Sequence, residues 1–518
     1  MTWHAAKFLL VNAALLATAA FGFFVFATAP HRGHEWLRRW TRRYAHHSRI
    51  GAFVRRHFIS HERSLVRLAI GIVVVATAGY VFVHILRGVL TDSKLVAADI
   101  RLHNTLRIFQ SEQLHRRYSA ITRLASLWFV GPLAVALSAL LYAARRRRDA
   151  LVLIAGVVLP SMFAVVLKYL VNRPRPVEAR AFVAGPSFPS GHTLTAAVVY
   201  GFLAYIIFVD APKRRPALIL VLGLLVYIAL VPLSRVYLGV HWPYDTLASL
   251  ALGVALLAVL IEAMKSEWLG RLQRESAPWF AKSVVAFTVL SVFAAAFYVN
   301  ARLEREVRPP SPRATGAVPL DLLRRQFPSG LKLNSEDLAG GPMEPPAFVF
   351  GGNALQLERA FERAGWSLAD TPSATGLLRE LTCVIRDAPD PHGPATPSYY
   401  DAQPQDLTFE RPGTASGSIR QRHHIRIWRA PLNLAPAIPL WVATCSYDEG
   451  VKFVRKPYLV THRIDPRIDV EREMIASQLR DAGAQDYGLV TVTGPRRGSN
   501  AGGDAFVTDG RAHVVLFP

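Results

Sequence analysis

Eight long apolar stretches constrain this 518-residue chain more than any other feature. Crossing a bilayer as a helix takes about 20 residues, and the shorter stretches gain support from their regular spacing. The stretches lie at 8–29, 68–90, 124–144, 150–168, 193–209, 217–233, 246–261 and 283–299. The sequence therefore predicts a polytopic, all-α membrane domain followed by a soluble C-terminal third.

The first apolar stretch also resembles a signal peptide, because Ala27-Thr28-Ala29 has the pattern of a cleavage site. Its apolar run is longer than a usual signal core, and Pro30 would follow the cut. We therefore expect a retained transmembrane helix.

Basic residues concentrate in four connections between the apolar stretches and explain most of the net charge of +23. Residues 31–67 hold ten Arg against two Glu, 145–148 read RRRR, 213–215 read KRR, and 265–282 carry further Lys and Arg. These connections fall on one side of the membrane, which the positive-inside rule makes the cytoplasm. Contact with anionic lipid head groups is a second use for them. The charge therefore needs no nucleic-acid partner.

Counting crossings from a cytoplasmic 31–67 segment puts a second set of connections outside. They are 91–123, 169–192, 234–245 and everything after residue 299. The polar residues at helix ends fall on this outer face, namely Lys168, His192, Ser234, Arg235 and Asp245. Because the charge rule did not use these residues, their agreement is independent support for a site on the outer face. In a bacterial inner membrane this face is periplasmic, and the C-terminal domain shares it.

Two outer connections carry the residue types that a phosphate site needs. They read KYLVNRPRPVEARAFVAGPSFPSGH over 168–192 and SRVYLGVHWPYD over 234–245. Arg and Lys side chains bind phosphate oxygens. The turn Ser190-Gly191-His192 opens a helix, where backbone N–H groups and the helix dipole favour an anion. Gly191 also permits close approach of the backbone.

The same connections supply two His and a carboxylate, which suggests a mechanism. One His attacks phosphorus while the carboxylate orients it, and the other protonates the leaving oxygen. Water then hydrolyses the phosphohistidine. Lys and Arg compensate the charge, so we expect no metal and no other cofactor.

Each of these residues taken singly has an ordinary interpretation. His241 alone would be interfacial packing, Arg175 and Arg235 would anchor lipid, and Asp245 would cap a helix. None of these interpretations explains the joint spacing.

Together the motifs resemble the three signatures of the type 2 phosphatidic acid phosphatase family. Their residues are Lys168, Arg175 and Pro176 in the first, Pro189, Ser190, Gly191 and His192 in the second, and Ser234, Arg235, His241 and Asp245 in the third. Three complete motifs in the right order and on one side form a specific match.

The resemblance implies a role for each residue. It makes His241 the nucleophile, Asp245 its orienting partner and His192 the general acid. The implied phosphate-binding residues are Lys168, Arg175, Ser190, Gly191, Arg235 and Ser234. Arg173 is an extra cation that the signature does not demand. The family's six-helix core would be formed by the second to seventh spans.

After the last span the composition changes to an α+β pattern. The helices would be NALQLERAFERAGW, capped by Asn353, and RIDVEREMIASQLRDAG, stopped at Gly483. The strands would be DLTFERP, QRHHIRIWRA, PLWVATCSYDEG and YGLVTVTG, with a terminal hairpin turning at Asp509-Gly510. The predicted domains are 1–67 (first span and basic segment), 68–264 (phosphatase core), 265–300 (eighth span), 301–346 (Pro-rich linker with little regular structure) and 347–518 (soluble domain).

The soluble domain resembles the LssY-type C-terminal domain over roughly 347–484. The segments RQRHHIRIW, YDEGV and THRIDPRIDVER carry this resemblance. Such domains occur fused to phosphatase cores, and the resemblance implies no established reaction. Strand alternation places Arg422, His424 and Arg426 on one face. That face could bind an anion such as a lipid head group, although solvated strand residues are the preferred interpretation.

Several features of the soluble domain stay open at this level. Cys383 and Cys445 could form a disulfide on the outer side or be two buried thiols. His462, Asp465 and Asp469 lack a diagnostic metal-ligand spacing. The domain could recruit substrate or bind a protein partner.

The sequence thus predicts a metal-independent phosphatase acting on a lipid phosphate or pyrophosphate at the outer leaflet. Phosphatidic acid, phosphatidylglycerol phosphate, polyprenyl pyrophosphate and lipid A phosphates all fit. One alternative is a lipid phosphotransferase that uses the same site. Another is a non-catalytic envelope or secretion interaction protein. A transporter would need ionisable residues in mid-membrane, and these spans show few.

Overall fold

The computed structural model describes residues 62–176, 185–210, 214–264 and most of 316–518; the gaps in the last range are 371–378, 414–419, 455–458, position 436 and scattered positions over 380–396. The spans predicted at 8–29 and 283–299 lie outside the described residues. The chain forms two compact units, a membrane unit and a C-terminal unit.

Helices dominate the first half of the described chain. They are α1 (Glu62–Leu90), α2 (Lys94–Arg107), α3 (Glu112–Arg123), α4 (Leu127–Ala143), α5 (Arg147–Val171), α6 (Gly191–Asp210), α7 (Arg214–Tyr237) and α8 (Pro243–Met264). All except α2 belong to the membrane unit. Helix α2 lies in the outer connection of the sequence but belongs to the C-terminal unit.

Six segments of the described chain are long and apolar enough to cross a membrane, as the second to seventh predicted spans require. They are Ala69–Leu90, Glu112–Ala143, Arg147–Val171, Gly191–Asp210, Arg215–Tyr237 and Pro243–Met264. The six-helix core is therefore confirmed. The second of these segments begins earlier than the predicted span at 124–144, because the amphipathic helix α3 leads directly into α4.

Helices α6 and α8 form the centre of the membrane unit. Residues of α6 are 67% buried and those of α8 are 56% buried, whereas the other four segments are a third buried or less. Small residues let these two helices approach closely. A Cβ atom on Gly253 would lie 2.6 Å from the Ala197 Cβ, and one on Gly201 would lie 2.5 Å from the Leu257 Cδ2. The α6–α8 pair therefore has no room for a larger residue at either glycine.

We expect Gly253→Ala to lower the thermal unfolding temperature of the detergent-solubilised protein. The new methyl group forces α6 and α8 apart, and overpacking of this kind costs about 1–3 kcal/mol of unfolding free energy. The matched control is Gly223→Ala, because a Cβ there would meet nothing within 4 Å. Gly223 is a helix position where alanine is intrinsically favoured. Equal unfolding temperatures for the two variants would contradict the close packing.

The C-terminal unit is built on one mixed sheet. Its strands, with two small accessory pairs, are β1 (Gly316–Val318), β2 (Phe348–Gly351), β3 (Ser367–Leu368), β4 (Tyr399–Tyr400), β5 (Gln403–Pro404), β6 (Leu407–Pro412), β7 (Arg422–Leu434), β8 (Ile438–Val454), β9 (Leu459–Ile464), β10 (Gln485–Thr491), β11 (Arg496–Ser499), β12 (Ala505–Thr508) and β13 (Arg511–Leu516). The main order is β10-β13-β2-β8-β7-β6-β3, with β1 on β7 and β9 on β8. The α+β fold is confirmed.

Two helices cover one face of this sheet. Helix α10 (Ala354–Arg363) follows the short helix α9 (Leu320–Leu323), and helix α11 (Ile468–Asp481) precedes β10. Helix α10 starts at the predicted cap, where Asn353 and Gln356 form a capping box. After α11 the chain turns at Gly483, which has φ of +92°, a conformation that favours glycine.

The segment 316–346 differs from the predicted linker. Its Val318, Leu323 and Leu331 are buried against the sheet face opposite α10 and α11, where they join Trp428 in one core. Strand β1 pairs in parallel with β7. Apolar residues between the prolines supply this packing. The prediction of a linker with little regular structure was therefore wrong for this segment, despite its Pro-rich composition.

The predicted terminal hairpin is also different. Strand β12 pairs with β11, and β13 pairs with β10 and β2. Only Gly510 of the Asp509-Gly510 pair has positive φ, at +74°, whereas a type I′ hairpin turn needs two such residues. Asp509 instead receives hydrogen bonds from Arg472 of α11.

The polar face of β7 is buried, so the solvated interpretation was wrong. Arg422 is 7% exposed and His424 is 4% exposed. Arg422 Nη1 donates to Glu410 Oε2 at 2.8 Å, and its Nε lies 3.5 Å from Asp448 Oδ2. Carboxylates on the flanking strands compensate the charge, which permits burial.

The other open features resolve simply within the described residues. Cys383 and Cys445 are free thiols, and Cys445 is buried. Among the described side chains no group of three or more His, Cys, Asp or Glu is arranged to hold a metal ion. Asp469 instead accepts hydrogen bonds from Thr508 and from the backbone of Asp509. The side chain of His462 lies outside the described residues.

Candidate active site

The three predicted motifs meet at one end of four helices. Helix α5 ends at Val171, where Asn172 adopts a left-handed conformation with φ of 47° and turns the chain into the first loop. The loop returns to start α6 at Gly191, and the second loop joins the end of α7 at Tyr237 to the start of α8 at Pro243. The helix ends thus bring residues 70 positions apart in the sequence into one site.

The turn before α6 is held from both sides. Ser187 N donates to Arg173 O at 2.8 Å, and Ser190 N donates to Ser249 Oγ at 2.7 Å. Ser249 Oγ in turn donates to the Asp245 carbonyl at 2.6 Å. Gly191 is half-buried, and a Cβ there would meet only the Ala164 Cβ at 3.9 Å. The start of α6 is therefore fixed while its first residue stays open.

The predicted nucleophile is buried with its two ring nitrogens in different surroundings. His241 Nδ1 lies 3.7 Å from Asp245 Oδ2, and Nε2 lies 3.5 Å from Arg175 Nη1. A guanidinium only donates, so the contact with Arg175 favours the tautomer with the lone pair on Nε2 and the proton on Nδ1. Nδ1 then faces Asp245 at a distance longer than a hydrogen bond. Burial lowers the pKa of His241 to about 3 and outweighs the nearby carboxylate. The free imidazole is therefore neutral at pH 7, as a nucleophile requires.

The other predicted groups surround the His241 ring. His192, partly exposed at the start of α6, interacts electrostatically with Arg235, His241, Lys168 and Arg175. Lys168 Nζ donates to Pro186 O at 3.1 Å. The structure thus brings two histidines and three cations close enough to interact electrostatically.

Arg175 and Arg235 reach the site by different supports. Arg175 donates to the carbonyls of Gly185 at 2.8 Å, of Pro186 at 3.1 Å and of Val240. Burial lowers its pKa from the ordinary value, against the opposing effect of the site carboxylate. Arg235 is 5% exposed. These supports fix both guanidinium groups beside the histidines.

Two serines of the motifs differ in what they contact. Ser190 Oγ accepts a hydrogen bond from Thr193 Oγ1 at 3.1 Å and lies at the open start of α6. Ser234 Oγ donates to Val231 O at 2.6 Å within its own helix. Since that hydroxyl proton is already used, Ser234 shapes the end of α7 and does not point a donor at the site.

Arg173 is the residue whose importance the motifs did not reveal. Its Nη1 donates to Asp245 Oδ1 at 2.7 Å, with both side chains buried, and its guanidinium lies 5.5 Å above the Trp242 ring. One carboxylate oxygen of Asp245 therefore faces His241 while the other is bound by Arg173. In the sequence, the only signal for this role of Arg173 was its position two residues before Arg175.

Two further residues escaped sequence reasoning. Thr122 at the end of α3 accepts a hydrogen bond from Arg235 Nη1 at 3.0 Å. Ser249 lies one helical turn after Asp245, a spacing that could have indicated a shared face. The sequence near Thr122 did not indicate a contact with Arg235, because the two residues are 113 positions apart in the chain.

We expect Arg173→Ala to lower kcat/KM and to move the acid limb of its pH profile upward by about one pH unit. Without the cation, the Asp245 charge acts fully on His241 and raises the imidazole pKa. The nucleophile is then protonated, and inactive, at a higher pH than in the wild type. Phosphate release measured from about pH 2.5 to 9 tests this, because the wild-type His241 pKa is about 3.

Arg173→Lys keeps the charge and should leave the acid limb near its wild-type position. Arg117→Ala, at an exposed position of α3, is the matched surface control. An unshifted limb in Arg173→Ala would show that Arg173 only supports the fold.

Comparison with known proteins agrees with both halves of this chain. Residues 149–268 match the PAP2 superfamily model, and residues 325–512 match the model of the LssY C-terminus. The first match covers α5 to α8 and so includes every motif residue. The second begins inside the segment that was expected to be a linker.

Individual relatives match the membrane unit. Phosphatidylglycerophosphatase B of Bacillus subtilis is 30% identical over 34% of this chain and 88% of its own length. Decaprenylphosphoryl-5-phosphoribose phosphatase of Mycobacterium tuberculosis is 34% identical over 25% of this chain and 70% of its own length. The crystal structure of a transmembrane PAP2 type phosphatidylglycerolphosphate phosphatase from Bacillus subtilis aligns with 26% identity, over 39% of this chain and 98% of that one, with a TM-score of 0.35.

A site of two histidines, a carboxylate and clustered cations at the ends of four membrane helices thus coincides with the matched region. The chain belongs to the PAP2 superfamily of membrane lipid phosphatases and carries an LssY-type C-terminal domain.

Proposed function

We propose that this enzyme hydrolyses a phosphate or pyrophosphate group of a membrane lipid through a phosphohistidine on His241. The observation that carries the proposal is the orientation of the imidazole, with Nδ1 toward Asp245 and Nε2 toward Arg175. A phosphoryl group attached to Nε2 lies within reach of the Arg175 guanidinium.

The first half of the reaction transfers the phosphoryl group to the enzyme. The lone pair of His241 Nε2 forms the N–P bond while the bond from phosphorus to the lipid oxygen breaks. His192 donates its proton to that oxygen, so the lipid leaves as a neutral hydroxyl or as a lower phosphate. Asp245 balances the positive charge that develops on the His241 ring.

The second half returns the enzyme to its starting state. His192, now neutral, takes a proton from water, the water oxygen bonds to phosphorus, and the N–P bond breaks to release inorganic phosphate. Lys168, Arg175 and Arg235 offset the charge on the phosphoryl oxygens in both halves. These cations supply the electrostatic stabilisation, so the proposed reaction uses no metal ion.

The proposed substrate is a lipid whose tail stays in the membrane. The site lies at the ends of membrane helices, and the named relatives are phosphatases of phosphatidylglycerophosphate and of a decaprenyl-linked phosphate. Phosphatidylglycerol phosphate and polyprenyl phosphates or pyrophosphates are therefore the first candidates. Phosphatidic acid and lipid A phosphates remain in the panel because they present the same group.

We expect wild-type protein in detergent with EDTA to release phosphate from at least one lipid of this panel. His241→Ala should abolish release, because the attacking nitrogen is gone. His192→Ala should lose roughly a hundredfold or more, the scale of general acid–base catalysis. His84→Ala, at an exposed position of α1, should match wild type. Brief reaction with ³²P-labelled substrate and an alkaline quench should label wild type but not His241→Ala.

Other outcomes point to the alternatives. Full activity in His241→Ala rules out the proposed nucleophile. Label appearing in a second lipid, and not as inorganic phosphate, identifies a phosphotransferase. Absence of release from every lipid favours a non-catalytic envelope protein.

The proposed location is a bacterial inner membrane, with the site and the C-terminal domain on the periplasmic side. The basic connections supply the charge asymmetry. Helix α2, which follows α1 in the outer connection, belongs to the C-terminal unit. This supports a C-terminal domain on the side of that connection, in keeping with the span that the sequence predicts at 283–299.

Lys332→Cys should therefore react with a membrane-impermeant maleimide in intact spheroplasts. The test uses protein with Cys383→Ser and Cys445→Ala, and Lys332 is more than half exposed. Arg147→Cys, in the basic connection before α5, should react only after permeabilisation. The reverse pattern would show that the assigned orientation is inverted.

A further inference from the structure

Helix α2 links the two halves of the protein through the chain itself. It lies between α1 and α3 in sequence, yet it is a compact part of the C-terminal unit. The membrane unit resumes at Phe109. The outer connection therefore changes from one unit to the other within a few residues.

A buried ion pair fastens α2 inside the C-terminal unit. Arg101 Nη2 lies 2.5 Å from Glu336 Oε2, with side chains 8% and 16% exposed. Ala402 N also donates to Glu336 Oε2 at 3.0 Å. A buried charge left without its partner is strongly unfavourable. Arg101 and Glu336 therefore each depend on the other.

Further contacts extend this attachment along α2. Asn104 Nδ2 donates to Ala402 O at 2.8 Å, and Thr105 Oγ1 lies 2.9 Å from the Tyr399 hydroxyl. Gly340 packs so closely that a Cβ there would lie 3.1 Å from Arg101 Nη1. Contacts to two separate segments, 336–340 and 399–402, show that α2 fits a defined position on the domain.

The residues that follow α2 hold the end of α7 in the membrane unit. Gln110 Nε2 donates to Tyr237 O at 2.9 Å, and Ser111 N donates to the Tyr237 hydroxyl at 2.8 Å. The rings of Tyr118 and Tyr237 are 4.6 Å apart. Tyr237 comes two residues after Arg235, on the same last turn of α7.

Helix α3 then contacts the phosphate-binding arginine directly. Thr122 Oγ1 accepts from Arg235 Nη1 at 3.0 Å. The segment from Gln110 to Thr122 thus supports Arg235 in two ways. It binds Tyr237, two residues further along α7, and it accepts a hydrogen bond from the Arg235 side chain. Any displacement of α2 is transmitted to this segment by covalent continuity.

We propose that α2 is the docking partner of the LssY-type domain within the same chain, and that its Arg101–Glu336 ion pair sets the position of Arg235. The C-terminal domain then acts on catalysis by holding the outer connection. The predicted effect on catalysis rests on the proposed function. The docking of α2 rests only on the contacts that α2 makes.

The test uses the full-length protein with Arg101→Glu, Glu336→Arg and the double charge exchange. Each single variant should lower kcat/KM by roughly fivefold or more, the usual scale of coupling between sites, and the double variant should recover. Lys332→Glu is the matched control, because the Lys332–Asp401 pair is exposed and 3.9 Å apart. It should behave as wild type.

A glycine pair tests the docking without changing charge. Gly340 and Gly503 have φ of +80° and +79°, so Ala strains both backbones similarly. A Cβ at Gly503 meets nothing within 4 Å, whereas one at Gly340 meets Arg101. Gly340→Ala should lower kcat/KM more than Gly503→Ala.

A double-mutant cycle decides whether the effect passes through Arg235. In the Arg235→Lys background, Arg101→Glu should add little further loss, because two changes on one route are not additive. Full additivity would overturn the assigned route.

Hydrogen exchange separates this inference from the proposed function, since it needs no substrate. Arg101→Glu should speed amide exchange in α2 and also in α3, and the double exchange should restore both. Faster exchange in α2 with unchanged α3 and unchanged kcat/KM would overturn the coupling. Unchanged exchange in α2 would overturn the docking. A wild type that releases no phosphate, with the exchange pattern intact, would refute the proposed function and leave this link standing.

Discussion

The site depends on one buried carboxylate. Asp245 is fully buried at the start of α8, where an isolated charge would be very costly. Arg173 binds one of its oxygens, and the other faces His241 and accepts from Trp242 N at 3.1 Å. Through these contacts one charge faces the proposed nucleophile, binds the first loop and ties both loops to α8.

The tight α6–α8 pair makes that arrangement precise. His192 lies at the start of α6 and Asp245 at the start of α8, so the distance between the two helices sets the distance between these two proposed catalytic residues. Glycines at the interface bring the backbones together. Ser249 adds a direct link, since it accepts from Ser190 N and donates to Asp245 O. Packing between α6 and α8 thus fixes the geometry of the candidate site at the ends of these helices.

The C-terminal domain carries its own charge compensation on a similar principle. The carboxylates of Glu410 and Asp448 flank Arg422 on neighbouring strands, which lets a strongly polar sheet face be buried. The domain also incorporates α2 from the distant outer connection. The C-terminal unit therefore includes a helix from the first half of the sequence, and its proposed influence on Arg235 follows from that helix.

The sequence by itself determined the six apolar spans of the described chain and the residues of the candidate site. Apolar run length marked the six described spans, and motif spacing marked His192, His241 and Asp245, because both properties are local along the chain. Capping chemistry likewise placed the start of α10 at Asn353.

Only the tertiary structure decided what depends on distant partners. The role of Arg173 required knowing that its guanidinium meets Asp245, 72 residues away. The burial of Arg422 and His424, which alternation left on a solvated face, depends on carboxylates of the flanking strands β6 and β8. Arg146, which the sequence placed in a basic cytoplasmic connection, forms ion pairs with Asp149 and Asp210. Local patterns specify elements and motifs, whereas compensation of buried charge is settled between residues that only folding brings together.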